Sequence, residues 1–253
     1  MMSSRRRLSH IKNDVVRALV IAEKDIRIYY LKPPTLMFGI LFPLSMFLSF
    51  AVGRNVPPSA LIPGLMAITV FFSSSSIGPV VIPWERRVKT FERFLSAPIS
   101  LWAVLLGKTM AGFVFGLPIS LIPLIIGYIG FGTQITDVLA LTLGIGLSSL
   151  AFSAMGVMFA SIPTENVGSV MVSQNFIRIP LIFVSGIYIP IQSMPEWLQS
   201  IAAVSPLTYS NDLIRYSLGG RTYYDPALSV VALLISFVIF LFVGMKLHER
   251  VKD

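Results

Sequence analysis

The tripeptide Gly107-Lys108-Thr109 has the ending of a phosphate cradle. Such a loop also needs a glycine five residues ahead of its Gly-Lys pair, so that successive backbone N–H groups can wrap the anion, and that position is Trp102. The stretch opens an apolar run instead of joining a strand to a helix, which excludes a nucleotide site. There is no Gly-x-Ser-x-Gly elbow and no paired-histidine metal motif. The two histidines, His10 and His248, sit in polar ends, and the absence of cysteine removes disulfides and thiolate metal sites. No catalytic residue, metal or cofactor is therefore assigned to this chain, and it is not expected to be an enzyme.

The charges are more informative than the motifs. All twelve acids fall in the termini, in loops or at the ends of apolar runs. Ion-driven transporters keep carboxylates at membrane depth because each is costly and persists only for function. The sequence offers none, which weighs against an ion-coupled transporter or channel. Two cations do lie within apolar runs, Lys108 and Arg178. Lys108 is expected to snorkel back to the interface. Arg178 falls near mid-membrane, where insertion costs about 2.5–3.5 kcal/mol, and must face protein or water. Two readings stay open: contact with a substrate or partner subunit, or bonds to backbone carbonyls and to Gln174 one turn earlier.

These side chains must be positioned by helices crossing a bilayer. The chain is 55% hydrophobic and only 13% charged, against about a quarter charged in an average soluble domain. The apolar residues come in runs of about twenty, the length that spans roughly 30 Å of hydrocarbon. Six spans are expected, at about 35–53, 60–82, 101–130, 138–161, 168–190 and 227–245, giving an all-α membrane domain over 33–253 behind a tail and surface helix over 1–32. Eight Lys or Arg precede the first span, four lie in 83–100 and three follow the last span. The other face carries only Arg54, Arg215 and Arg221. The positive-inside rule then predicts a multi-pass protein of the cell membrane with both termini cytoplasmic. The loop at 161–168, with Glu165 and no basic residue, is neutral on this point, and a re-entrant pair formed by the runs around it would leave the termini unchanged. The net charge of +8 reads as attraction to anionic lipid and a protein partner, not to nucleic acid. The first 32 residues lack the apolar core of a cleaved leader, so the start is expected to be mature protein.

Val15, Leu19, Ala22, Ile26 and Tyr29 form a stripe at helical spacing, with Arg17, Lys24 and Arg27 off it. This predicts a basic amphipathic helix lying in the membrane interface, or a solvated helix packed on its neighbours. Pro33 and Pro34 are expected to end it. Between the second and third spans, residues 84–95 read as a second short amphipathic helix, with Val88, Phe91 and Leu95 on one face, Glu85 paired with Lys89, and Pro98 as the stop. That segment is either a solvated connector or a docking element for a soluble partner. Gly112 and Gly116, and Gly156 with Ala160, allow close helix contact without saying whether the neighbour is in the same chain. Prolines 63, 118, 123 and 180 predict kinks.

The segment 183–215 is too polar and proline-rich to span. Ser185, Gly186, Pro190, Met194, Pro195, Trp197, Pro206, Leu207, Asp212 and Arg215 resemble, position by position, the late signature of the type-2 ATP-binding-cassette exporter permeases. Glu85-Arg86, Thr90, Glu92, Leu95, Ala97-Pro98-Ile99-Ser100 and Gly107-Lys108 resemble that family's first-loop signature, with Lys89 where a glycine is usual. The resemblance implies half of an exporter: two permeases, identical or related, each docked on a cytoplasmic ATPase that binds ATP and Mg. It further implies coupling to the ATPase through Glu85, Arg86, Phe91 and Glu92. A re-entrant outer gate would involve Pro190, Pro195, Trp197 and Pro206, and substrate would pass between protomers along the second and fifth spans.

Overall fold

A computed structural model describes residues 2–29, 33, 37, 41–51, 58–96 and 99–252, and among these every regular element is helical. The elements are α1 (Met2–Tyr29), α2 (Phe42–Ala51), α3 (Pro58–Arg87), α4 (Thr90–Ser96), α5 (Leu101–Phe131), α6 (Val138–Phe159), α7 (Val167–Val184), a 3-10 turn (Ile191–Ser193), α8 (Glu196–Val204), α9 (Pro206–Ser217) and α10 (Pro226–Lys252). Five of them, α3, α5, α6, α7 and α10, contain segments long and apolar enough to cross a membrane. Of the first expected span only α2 is described, and Pro34, Arg54 and Pro98 lie outside the described residues.

Helix ends follow local chemistry. Ser100, Asp137 and Asn166 accept hydrogen bonds from the first-turn amides of Ala103, Ala140 and Gly168 at 3.2, 2.9 and 2.9 Å, opening α5, α6 and α7. Gly132, at φ 66°, closes α5 in the left-handed conformation that suits glycine. Three boundaries differ from expectation. The last helix runs to Lys252, seven residues past 245. The second span continues past 82 to Arg87, through Pro79 and Pro83, because neighbouring helices enclose it. The fifth stops at Val184, six residues early, where Gly186 takes φ 71° and turns the chain.

The ends of the helices sort into two levels. At one level Asp14 meets Ser100, Arg86 meets the Ile162 carbonyl, and the His248 ring lies 6.2 Å from that of Phe91. This level gathers α1, the end of α3, the start of α5, the α6–α7 loop and the end of α10. At the opposite level the Ser217 carbonyl accepts from the amides of Thr136 and Asp137, joining the α5–α6 loop to α9. Helix α6 therefore runs the full distance between the two levels.

At the centre is α3, whose residues Ile62 to Pro83 are all buried. It crosses α5 and α6 at residues too small to keep backbones apart. A Cβ on Gly112 would stand 2.7 Å from the Ser74 carbonyl oxygen, one on Gly78 2.7 Å from the Val157 nitrogen, and one on Gly156 would overlap the Ser75 carbonyl. The partners of these small residues thus lie in the same chain. Phe71 packs edge-on against Phe152 at 4.7 Å, and serines bridge the seams: Ser74 to Ser149 at 2.8 Å, Ser148 to Ser210 at 2.7 Å.

Candidate functional site

Helix α3 does not stop cleanly at the level of Glu85. It runs into a two-residue turn, with the Val88 amide bonded to Trp84 O at 3.1 Å and the Lys89 amide to Arg86 O at 3.0 Å, and α4 begins at Thr90. Lys89 has φ 58° and is the one non-glycine in the left-handed region among the described residues. That is the position where the resemblance expects glycine. The segment 84–95 is thus an elbow between two helices, not one helix. Val88 is exposed, Phe91 is buried among Ile21, Ile82, Val104 and Leu105, and the Leu95 side chain lies outside the described residues. Arg86 is buried, bonded to the Ile162 carbonyl and stacked 5.3 Å from the Phe91 ring. Arg87, Val88, Lys89, Glu92 and Arg93 face outward.

Glu85 is fully buried, and it does not pair with Lys89. Lys89 Nζ instead reaches Glu165 at 3.3 Å across the α6–α7 loop. Glu85 joins a compact group with Lys24, Asp25 and Lys108. Lys108 Nζ lies 2.6 Å from Glu85 Oε2 and 2.9 Å from Asp25 Oδ2, Lys24 Nζ lies 2.7 Å from Asp25 Oδ1, and Lys24 also bonds Glu85 Oε1. Lys108 therefore does not snorkel; it is fully buried, with acids supplied by two other helices. Burial alone would lower the Lys24 pKa, but the charges of Asp25 and Glu85 hold it above its ordinary value. The aromatic ring of Phe94 covers the group, 4.9 Å from Lys24 Nζ and 5.6 Å from Lys108 Nζ. Two positive and two negative charges cancel, the condition under which such burial is tolerated. The group pins α1 and α5 to the last turn of α3, directly behind the elbow.

Lys24 and Asp25 were not singled out as site residues by sequence. The stripe of α1 that packs inward is Ala18, Ile21, Ala22, Asp25 and Tyr29, rotated from the expected one, whereas Val15, Val16, Leu19 and Val20 are exposed. A fully buried aspartate within an apolar stripe is the signal that could have found it, once Lys108 needed an acid.

At the opposite level, residues 185–224 form a hydrogen-bonded cap. Asn211 Nδ2 donates to the Ser185 carbonyl at 3.3 Å, Arg215 Nη2 to the Gly186 carbonyl at 3.0 Å, and Asp212 Oδ2 accepts from the amides of Tyr223 and Tyr224 at 2.9 and 2.8 Å. Burial raises the Asp212 pKa, opposed by those two amides and by Arg215. Pro190 precedes the 3-10 turn, Pro195 precedes α8, and Pro206 is the buried first residue of α9, where a missing N–H costs nothing. Trp197 is 66% exposed on α8.

A family profile described as ABC-2 type transporter matches residues 17–218, most of the chain, including the elbow and the cap as far as Leu218. The chain belongs to the ABC-2 type transporter family. Nodulation protein J of Bradyrhizobium diazoefficiens is 26% identical over 225 residues, covering 86% of this chain and 83% of that one. Nodulation protein J of Rhizobium leguminosarum bv. trifolii is 27% identical over 219 residues, covering 83% and 81%. The probable multidrug ABC transporter permease YbhR of Escherichia coli K12 is 25% identical over 164 residues, covering 61% of this chain and 42% of its own. The chain is thus a membrane transport subunit of the ABC-2 class.

Within this ABC-2 subunit Arg178 and Gln174 face α3. Gln174 Nε2 donates to the Ser75 carbonyl at 3.2 Å, and Arg178 Nη1 donates to Ser76 Oγ at 3.3 Å. The guanidinium lies 5.2 Å from the Phe72 ring centroid. Both side chains are wholly buried. Gln174 and Arg178 do not bond each other; each reaches across the seam between α7 and α3.

Proposed function

We propose that this chain is the membrane-spanning subunit of an exporter, driven by ATP hydrolysed with Mg on a separate cytoplasmic ATP-binding-cassette subunit. It moves a small amphipathic, drug-like or lipid-linked substrate outward and works beside a second permease, identical or related, in the cell membrane. Both termini are cytoplasmic in this reading, as the Lys and Arg counts favour. Residues 1–32 are its surface tail and helix and 33–253 its membrane domain. The exposed apolar residues Val15, Val16, Leu19 and Val20 suit a helix lying among lipid headgroups.

The observation that carries the proposal is the elbow. Arg87, Lys89, Glu92 and Arg93 present charge outward from a bend whose inner side is locked to α1, α3 and α5. Glu92 and its exposed neighbours then meet the ATPase, and Glu85, Arg86 and Phe91 transmit force from inside instead of touching it. The segment holding Pro190, Pro195, Trp197 and Pro206 is the outer gate. Because α3 is enclosed within its own chain, α7 is the better candidate for lining a path between protomers.

The test is a mild-detergent purification of the tagged chain from its own cells, with mass spectrometry of what accompanies it. Wild type recovers a P-loop ATPase, and Glu92→Lys with Arg93→Glu loses it. Recovery of the chain alone, or with non-ATPase partners only, ends the exporter reading. One observation favours an ion-coupled transporter or channel: Asp25 and Glu85 are buried carboxylates. Each is neutralised by lysine, leaving no free carboxylate for an ion. Transport that follows a proton or sodium gradient without ATP would revive that reading.

A further inference from the structure

The seam between α3 and α7 holds polar groups that the helices do not satisfy. Arg178 lies eleven residues into α7, about 16 Å along its axis, and none of its side chain reaches solvent. Of its three nitrogens only Nη1 has a hydrogen bond, to Ser76; Nε and Nη2 have none. The buried salt bridges among the described residues lie at the far cytoplasmic-side group of Lys24, Asp25, Glu85 and Lys108, and no acid pairs with Arg178. On the same face of α7, one turn back, Gln174 Oε1 and Asn175 Oδ1 are buried and also lack partners.

A buried guanidinium with one hydroxyl as its hydrogen-bond partner and one aromatic ring, Phe72, beside it is a costly arrangement in a membrane interior. Lys108, equally buried, is by contrast met by two carboxylates, Asp25 and Glu85. Ser76 meets only Nη1, and the hydroxyls of Ser73 and Ser75 on α3 donate to carbonyls four residues back and do not reach Arg178. What remains at the seam is two forked N–H donors beside two amide acceptors. That set complements an acidic head group carrying both acceptor oxygens and an O–H, as a singly protonated phosphate monoester does.

We propose that Arg178, with Gln174 and Asn175, is the head-group site for an anionic amphiphile that enters when α7 parts from α3. Helix α7 is the element placed to move. Its opposite face, with Val172, Phe176 and Ile177, is exposed, whereas α3 is held on several sides. The apolar tail of the ligand would lie along that exposed apolar side while the head group displaces Ser76 from the guanidinium. The route of the ligand rests on the exporter reading above; the binding itself does not.

The test uses the purified full-length chain in an uncharged maltoside detergent, with unfolding followed by the emission of Trp84, Trp102 and Trp197. Dodecyl phosphate raises the wild-type Tm saturably by several degrees, and dodecanol and inorganic phosphate do not. Arg178→Gln abolishes the shift, and Arg178→Lys keeps it with at least tenfold weaker apparent affinity. Without ligand, Arg178→Gln has a Tm equal to or above wild type, the reverse of what a purely structural arginine would give. The proposal is overturned by an equal shift in Arg178→Gln, by a shift with inorganic phosphate alone, or by none in wild type. In lipid nanodiscs, an Arg178-dependent shift produced by phosphatidylglycerol would assign the site to a resident bilayer lipid and overturn a transported ligand. Should Arg178→Gln fail to fold, native mass spectrometry of wild type decides: a one-to-one dodecyl phosphate adduct that outlasts dodecanol supports the site, and its absence sinks it. None of these outcomes depends on whether an ATPase accompanies the chain, so the two proposals fail separately.

Discussion

Gln174 Nε2 donates to the carbonyl oxygen of Ser75, 3.2 Å away, and that carbonyl is the one Pro79 leaves without an intrahelical partner. A proline four residues on has no N–H to return, so a side chain from another helix supplies the missing donor. Replacing Gln174 by Leu therefore orphans a buried carbonyl, at a cost of about 1–3 kcal/mol. The expected lower Tm is partly restored by adding Pro79→Ala, which gives Ser75 a backbone donor again. Simple addition of the two effects would show that the bond carries no such role.

The buried group behind the elbow predicts strong non-additivity. Lys108→Met leaves Asp25 and Glu85 with Lys24 alone and is expected to cost about 3–5 kcal/mol. Lys108→Met with Glu85→Gln restores balance and recovers a large part of that loss. A double-mutant cycle on Tm measures the coupling; a value near zero would mean that the four charges do not act together.

Lys89 offers a gain in stability. Its left-handed backbone costs about 1–2 kcal/mol, and its exposed pair with Glu165 returns little. Lys89→Gly is expected to raise the Tm by a few degrees, and Lys89→Ala is not. Equal effects would indicate that the side chain, not the backbone, matters at the turn.

Gly156→Val drives a branched side chain into the Ser75 carbonyl, with backbone instead of a flexible neighbour in its way. Overpacking of this kind costs at least about 1–3 kcal/mol, seen as a lower Tm or lost expression. Gly146→Ala, on the same helix with nothing within 4 Å of its added carbon, serves as the control and is expected to leave the Tm unchanged or slightly raised.

What could be read from sequence was whatever has a period or a length. Apolar runs gave five of the long helices within a few residues at most ends, and the Ser185-Gly186 and Pro206-Leu207 pairs marked the cap. What could not be read was pairing between distant residues. Lys108 looked like a snorkelling cation because its acids, Asp25 and Glu85, lie 83 and 23 positions away on other helices. Phe91 looked available to a partner because its face on α4 was judged without α1 and α5, which cover it. Helix α3 outran its expected end because enclosure by neighbours, invisible in one strand of text, outweighed Pro79 and Pro83.

The enclosure of α3 also sets what can slide. Its glycine contacts and serine bridges to α5 and α6 are short-range and interlocked, so a displacement of even an ångström would break many at once. A load on any one of α3, α5 and α6 is therefore shared by the other two, and the three form one stiff block. Helix α7, by contrast, meets that frame through Gln174 and Arg178 on one side and leaves Val172, Phe176 and Ile177 bare on the other, a slat laid against a stiff block of three helices.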